Sequence, residues 1–172
     1  MHPFDVLVAH RTYLSGRSGR GNQTWQPSRP IVEALDSGFG AVEPTGRRLL
    51  LALDAADSPI RGMPLSCLEA TAALALVTAA TEPRCGIVGL ADPSGLTPRS
   101  IRPRTRLDKA IRAIPKLRWR FPNCSAPIRH ALDEGLEVDT FVVYTDYKTW
   151  SGETPLHHQL SAYRRRPVSM RR

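Results

Sequence analysis

The stretch LLLALDAADSPI, residues 49–60, carries an apolar run into a cluster of oxygen donors: the carboxylates of Asp54 and Asp57 and the hydroxyl of Ser58. Carboxylate and hydroxyl oxygens are the donors a hard divalent cation takes. Two later apolar runs also end on an acid, CGIVGLAD at Asp92 and EVDTFVVYTD at Asp146. If the runs are parallel strands, the three carboxylates gather at one end of a sheet. Catalytic readings are weaker. A strand-tip aspartate serving as a phosphotransfer nucleophile wants a second aspartate two residues on, where Ala56 stands. Cys124 and His130 fit a buried thiol beside a surface histidine better than a nucleophile and its base. His157 and His158 are adjacent on a helix, so their side chains leave it about 100° apart and are not expected to converge on a metal. The chain reads as non-enzymatic.

A second chemistry lies in the basic residues. The formal net charge is +8, which favours polyanionic partners such as RNA. The excess is concentrated in RPRTR (102–106), KLRWR (116–120) and RRRPVSMRR (164–172). Arg102, Arg104, Arg106, Lys116, Arg118 and Arg120, with Arg164, Arg165 and Arg166, are the candidate phosphate contacts. Guanidinium forks match phosphate oxygens, and Trp119 among them could stack a base. The plainer alternative has the arginines facing water and Trp119 in the core. The basic tail would add affinity through counterion release.

These residues must be positioned by a chain of 172 residues, enough for one domain with a core. Hydrophobic content of 41% is ordinary for a globular protein, while 15 Pro and 12 Gly point to long irregular connections. Cys67, Cys85 and Cys124 lack paired spacing and read as free thiols in a reducing compartment, with Cys67 and Cys85 buried. No stretch approaches a membrane span, and the N-terminus lacks a secretory pattern, so a cytoplasmic location without membrane contact is expected.

Residues 2–14 predict a short amphipathic helix with Val6, Leu7 and Val8 inside, and 15–30 a Gly- and Ser-rich linker. From Arg47 the pattern alternates. Strands are predicted at 47–54, 85–92 and 137–146, and helices at 65–81, 104–117, 127–135 and 154–166. Ser66 and Thr154 are candidate caps, and Gly135 a helix stop. Strands alternating with helices imply an α/β fold with a parallel sheet, whose ligands collect at the carboxyl ends of the strands. No internal repeat or Gly-rich phosphate loop interrupts the pattern.

HPFDVLVAHRTY, TWQP, VEPTGRRLLLALD, LEATAALALVTAATEP, IVGLAD, LTPRSI, RPRTRLD and ALDEGLEVDTFVVYTDYKTW occur in the order in which similar segments run in one family. Through these segments the chain resembles the Ro (SS-A) autoantigen family, the TROVE-domain ribonucleoproteins. The resemblance implies a Rossmann-like von Willebrand factor A-type domain, a central mostly parallel sheet flanked by helices, over 47–172. Residues 1–46 would be the end of the TROVE region, a helix and linker. It also implies a small non-coding RNA as partner, bound in the family by an upstream ring of helical repeats that is largely missing here. Two further strands and their helices would follow beyond Arg172. Their lack would leave FVVYTD at a sheet edge, β-prone and apolar, with marginal stability and a tendency to aggregate.

The resemblance further implies a metal-ion-dependent adhesion site built on Asp-x-Ser-x-Ser. The matching residues are Asp54, Ala55, Ala56, Asp57 and Ser58, so the first serine has become Ala56. A later loop supplies a threonine and an acid in the family, where FPNCSAP puts Pro122 and Asn123. The metal candidates that survive are Asp54, Ser58 and Asp146, with Ser125 a possible substitute oxygen. Mg²⁺ wants six oxygens near octahedral positions at about 2.0–2.1 Å. With two direct hydroxyls lost, the expectation is a degenerate site holding no cofactor or a weakly bound Mg²⁺. The leading function is a non-enzymatic ribonucleoprotein component with residual RNA affinity. The alternatives are an adapter that binds a protein partner through a cation at the strand tips, and a decayed fragment without function.

Overall fold

The computed structural model describes residues 42–54, 59–62, 65–92, 95–98, 123–145 and 154–166, together with Val8 and Thr105. Among the described residues four strands form one sheet: β1 (Leu49–Asp54), β2 (Cys85–Asp92), β3 (Gly95–Pro98) and β4 (Thr140–Tyr144). Three described helices accompany them: α1 (Cys67–Thr81), α2 (Ala126–Asp133) and α3 (Leu156–Arg165). The strand order is β3-β2-β1-β4. β1 pairs in parallel with both β2 and β4, and β2 pairs antiparallel with β3. This is the α/β architecture the alternation predicts, with the mostly parallel sheet that the resemblance implies.

β1 has hydrogen-bonded neighbours on both edges, so only its two faces remain to be covered. Alternation assigns them. Leu51 and Leu53 pack with Leu68, Ala72, Ala75 and Leu76 of α1. Leu50 and Ala52 pack on the opposite face with Ile128 and Ala131 of α2 and Tyr163 of α3. Because both faces are dry, β1 reads as a continuous apolar run instead of an alternating one.

α1 is Ala-rich on nearly every side, and small side chains let it sit close to the sheet while Ala73 and Leu65 meet Val8 and Ile60 behind it. Its start is a capping box: the Glu69 N–H donates to Ser66 Oγ at 3.3 Å and the Ser66 N–H to Glu69 Oε2 at 3.0 Å. α2 ends as Gly135 predicts. Gly135 takes φ 64°, and the Leu136 and Gly135 N–H groups return to the carbonyls of Ala131 and Leu132.

Three expectations are corrected. β3 has no counterpart in the sequence reading, because GLTP offers one large apolar residue between Gly and Pro and looks like a turn. It is an outer strand, where a missing proline N–H is tolerated. β4 begins at Thr140 and not at 137, since Glu137 and Asp139 are engaged in a clasp. Thr154 does not cap α3: Pro155 holds the N-cap position without a side-chain bond, and the residue before a proline is driven to extended backbone. The helix predicted at 104–117 lies outside the described residues apart from Thr105, as does the linker at 15–30, and of the helix predicted at 2–14 only Val8, helical, is described.

The clasp fixes β4 to β1. Arg48 donates from Nε to Asp139 Oδ2 at 3.1 Å, from Nη2 to Asp139 Oδ1 at 2.5 Å, and from Nη1 to Glu137. The Arg48 carbonyl accepts from the N–H groups of Asp139 and Thr140, which sets the register. A further acid, Glu82 at the end of α1, is buried and accepts from the N–H groups of Thr45 at 2.7 Å and Gly46 at 3.2 Å.

Both carboxyls titrate below their ordinary range. The side-chain hydrogen bonds from Arg48 lower Asp139, and the Thr45 N–H bond lowers Glu82 against the opposing effect of burial. A folded-state value below the unfolded one stabilises the native state above the unfolded value, about 4, and this contribution is lost as pH falls through the folded value. The urea midpoint is therefore expected to fall between pH 7 and pH 2.5. Asp139→Asn and Glu82→Gln should each lower the midpoint at pH 7 and flatten its dependence on pH.

Candidate functional site

The carboxyl ends of β1 and β4 and the loop before α2 meet at one end of the sheet. Asp54 closes β1 and is buried, at 8% exposure. Its Oδ2 accepts the hydroxyl of Thr145, just past β4, at 2.8 Å. A buried carboxylate without donors would be costly, and a hydroxyl of this kind answers that cost. Thr145 is a site residue that the sequence reading passed over, although it stands directly before Asp146 in YTD.

On the neighbouring loop, Ser125 is 2% exposed and turned inward. Its hydroxyl donates to Asn123 Oδ1 at 2.7 Å, and its backbone N–H donates to the same oxygen at 3.1 Å. This local turn commits the Asn123 oxygen to the loop itself. Between Asn123 and Ser125, burial first and then the negative charge of Asp54 push the Cys124 thiol up. That direction opposes a thiolate nucleophile. Burial likewise pushes Cys85 up to about 11. None of the three cysteines is in a disulfide and all are half-buried, so Cys67 and Cys85 are less enclosed than their apolar surroundings suggest.

Of the metal candidates, Asp54 is described, while Ser58 and Asp146 lie outside the described residues, as do Ala56, Asp57 and Pro122. Among the described residues no group of three or more His, Cys, Asp or Glu side chains converges as a metal site. Asp92 ends β2 where the chain turns back into β3, with a register shift between Leu90 and Asp92.

The basic candidates separate. Arg102, Arg104, Arg106, Lys116, Arg118 and Arg120 lie outside the described residues, with Trp119. Arg164 and Arg165 are exposed on α3. Arg166 is engaged with the fold: its guanidinium lies 3.9 Å from the centroid of the Tyr163 ring and donates to Tyr163 Oη at 2.7 Å and to the Ala131 carbonyl at 3.3 Å. Tyr163 is the pin of this corner. Its hydroxyl accepts the Val138 N–H at 2.6 Å and donates to the Leu136 carbonyl at 2.8 Å. Its ring meets Phe141 edge-on at 5.0 Å.

The two histidines of α3 also differ from expectation. Their Cβ directions diverge, yet the rings meet at a centroid distance of 4.3 Å and an interplanar angle of 66°. Exposed side chains are free to rotate, and edge-to-face packing of the rings draws them together. Among the described residues no helix is long and apolar enough to cross a membrane.

The strand tip yields a direct expectation for cations. With Asp54 bonded to Thr145, Ala56 in place of one serine and Pro122 in place of the threonine, millimolar Mg²⁺ should leave the melting temperature unchanged. The double change Ala56→Ser with Pro122→Thr should make it rise with Mg²⁺, and adding Asp54→Ala should remove the rise. A full-strength ligand at 100 times its dissociation constant contributes about 2.7 kcal/mol, well within the resolution of a thermal melt.

Comparison with known proteins gives this geometry a family. The family model of the Ro60 vWA domain matches residues 48–169. An RNA-binding protein RO60 of Deinococcus radiodurans is 38% identical over 162 residues, covering 89% of this chain and 30% of that protein. Its namesake in Caenorhabditis elegans is 31% identical over 171 residues, covering 95% of this chain and 26% of that protein. The crystal structure of the Deinococcus radiodurans RO (RSR) protein superposes with a TM-score of 0.77 at 36% identity, over 95% of this chain and 34% of that one. The chain thus spans less than a third of the length of the two RO60 proteins. A matched span from Arg48 to Ser169, together with a TM-score of 0.77 at 36% identity, places this chain in the Ro60 family, as its von Willebrand factor A-like domain.

Proposed function

We propose that this chain is a non-enzymatic, RNA-associated component of the Ro ribonucleoprotein type, holding the phosphates of a small non-coding RNA through arginines and lysines on a von Willebrand factor A-like frame. The supporting observation is α3. It has no acidic residue, and it carries Arg164 and Arg165 exposed in its last turn while Tyr163 and Leu160 face the sheet. A helix pinned on one side and cationic on the other suits phosphate contact, which needs charge and reach but no cavity. The two RO60 relatives are RNA-binding proteins by name, in keeping with this reading. Arg102, Arg104, Arg106, Lys116, Arg118 and Arg120 would extend the cationic surface.

Arg166 is assigned a different part. Its stacking on Tyr163 and its bond to the Ala131 carbonyl fasten α3 to α2.

The reading predicts salt-sensitive binding. The logarithm of affinity for single-stranded RNA should fall linearly with the logarithm of salt, by about 0.7 per neutralised phosphate. Arg164→Ala with Arg165→Ala should weaken all RNA sequences alike and leave the melting temperature in place. Arg166→Ala should do the reverse, lowering stability by about 1–3 kcal/mol through the lost cation–π contact and hydrogen bonds. Filter binding at several salt concentrations and thermal melts of the three proteins separate the two roles. Absence of RNA binding at low salt would refute the proposal.

A further inference from the structure

We propose that His157 and His158 form a nucleobase-stacking platform on the outer face of α3, so that the ligand of this helix is an unpaired RNA strand. The inference rests on the RNA reading above and deepens it, because that reading needs phosphates alone.

The argument begins with the helical repeat. At 3.6 residues per turn, His157, His158, Ser161, Arg164 and Arg165 fall within an arc of about 120°. All five are exposed. The opposite side is fixed by contacts: Leu160 and Tyr163 pack into the cluster with Ile128, Ala131 and Leu132, and the Tyr163 hydroxyl is held by the backbone of Leu136 and Val138. The helix cannot rotate without breaking these bonds, so the outer arc is a fixed surface. Within it Ser161 is self-contained, its hydroxyl donating to the His157 carbonyl at 2.7 Å. The ends of the arc are chemically distinct, with two imidazoles at the first turn and two guanidinium groups at the last.

The imidazoles supply what an anion-binding surface does not need. Two rings 4.3 Å apart at 66° make a compact aromatic surface at the helix start. Bases in single strands are held by stacking on such side chains, and stacking tolerates any base because every base has a flat face. In a duplex the bases are already stacked on one another and out of reach of a convex helix. About seven residues separate the histidines from the arginines, roughly 10 Å along the axis. That is about three phosphate steps of a stacked strand at ~3.4 Å each. One base on the imidazoles and the following phosphates at Arg164 and Arg165 is the resulting arrangement. A peptide of Asp and Glu could meet the arginines but offers no aromatic face for the rings, so RNA is the better match.

An abasic ribose-phosphate strand isolates the claim, since it has the charge of RNA and no bases. Fluorescence anisotropy would compare a labelled oligoadenylate with an abasic strand of equal length, using the full chain. The expected result is about tenfold tighter binding of oligoadenylate, the lower part of the range for one stacked base. His157→Ala with His158→Ala should reduce that preference without changing the salt dependence or the melting temperature. Arg164→Ala with Arg165→Ala should weaken both strands equally and cut the salt slope by about 1.4. Equal affinity for the two strands, a full preference surviving in the histidine variant, or equally effective displacement by polyglutamate would overturn the stacking platform while leaving phosphate binding intact. Failure of both strands to bind at low salt would overturn the RNA reading itself.

Discussion

Everything in this domain is referred to β1. It is hydrogen-bonded along both edges, to β2 and β4, and every residue from Leu50 to Asp54 is buried. A strand confined on four sides has one permissible register, because a slip of one residue would exchange the faces that α1 and the α2–α3 pair cover. Leu51 and Leu53 are wholly buried, and truncation of such a leucine to alanine costs about 2–5 kcal/mol, a large share of the stability of a small domain. The two ends of β1 are secured by polar contacts of opposite kind. Arg48, just before it, grips Asp139 and Glu137 ahead of β4. Asp54, at its far end, accepts the Thr145 hydroxyl behind β4. β4 is thus tied to β1 above and below its five paired residues.

This arrangement separates the strand tip from the surface that meets RNA in our proposal. At the tip, the described oxygens serve the fold: Asp54 with Thr145, and Asn123 with Ser125. Cation ligands must be held ready with their lone pairs aimed at a common point, and inward hydrogen bonds redirect them. The α2–α3 layer has a different character. Tyr163 consumes its hydroxyl on the chain between α2 and β4, Arg166 covers its ring, and the remaining side of α3 is left to solvent with its histidines and arginines.

The sequence announced the parts of this design that depend on local pattern. The continuous apolar run of 49–53 declared a strand buried on both faces, Ser66 a helix start, and Gly135 a helix stop at positive φ. Resemblance to the Ro family is borne out by the family match. What stayed hidden depends on contacts between distant residues. β3 is made by pairing and not by composition. The first residues of the predicted third strand were taken by Arg48, 89 or more positions earlier. Thr145 carried no signal because only its distance to Asp54 gives it a role. Arg166 was indistinguishable from Arg164 and Arg165 in a run of three, and only the ring beneath it sets it apart. The convergence of His157 and His158 depends on side-chain rotation, which helical geometry alone does not fix.

The central claim is that RNA meets this domain on the outer face of α3 and not at the strand tip. Photocrosslinking to an unpaired, 4-thiouridine-containing RNA, followed by peptide mapping, tests it directly. The account predicts adducts within the segment 154–165, at the histidines and the two exposed arginines, that disappear as salt is raised. Adducts confined to peptides containing Asp54 or the Asn123–Ser125 loop, with α3 unmodified, would contradict it.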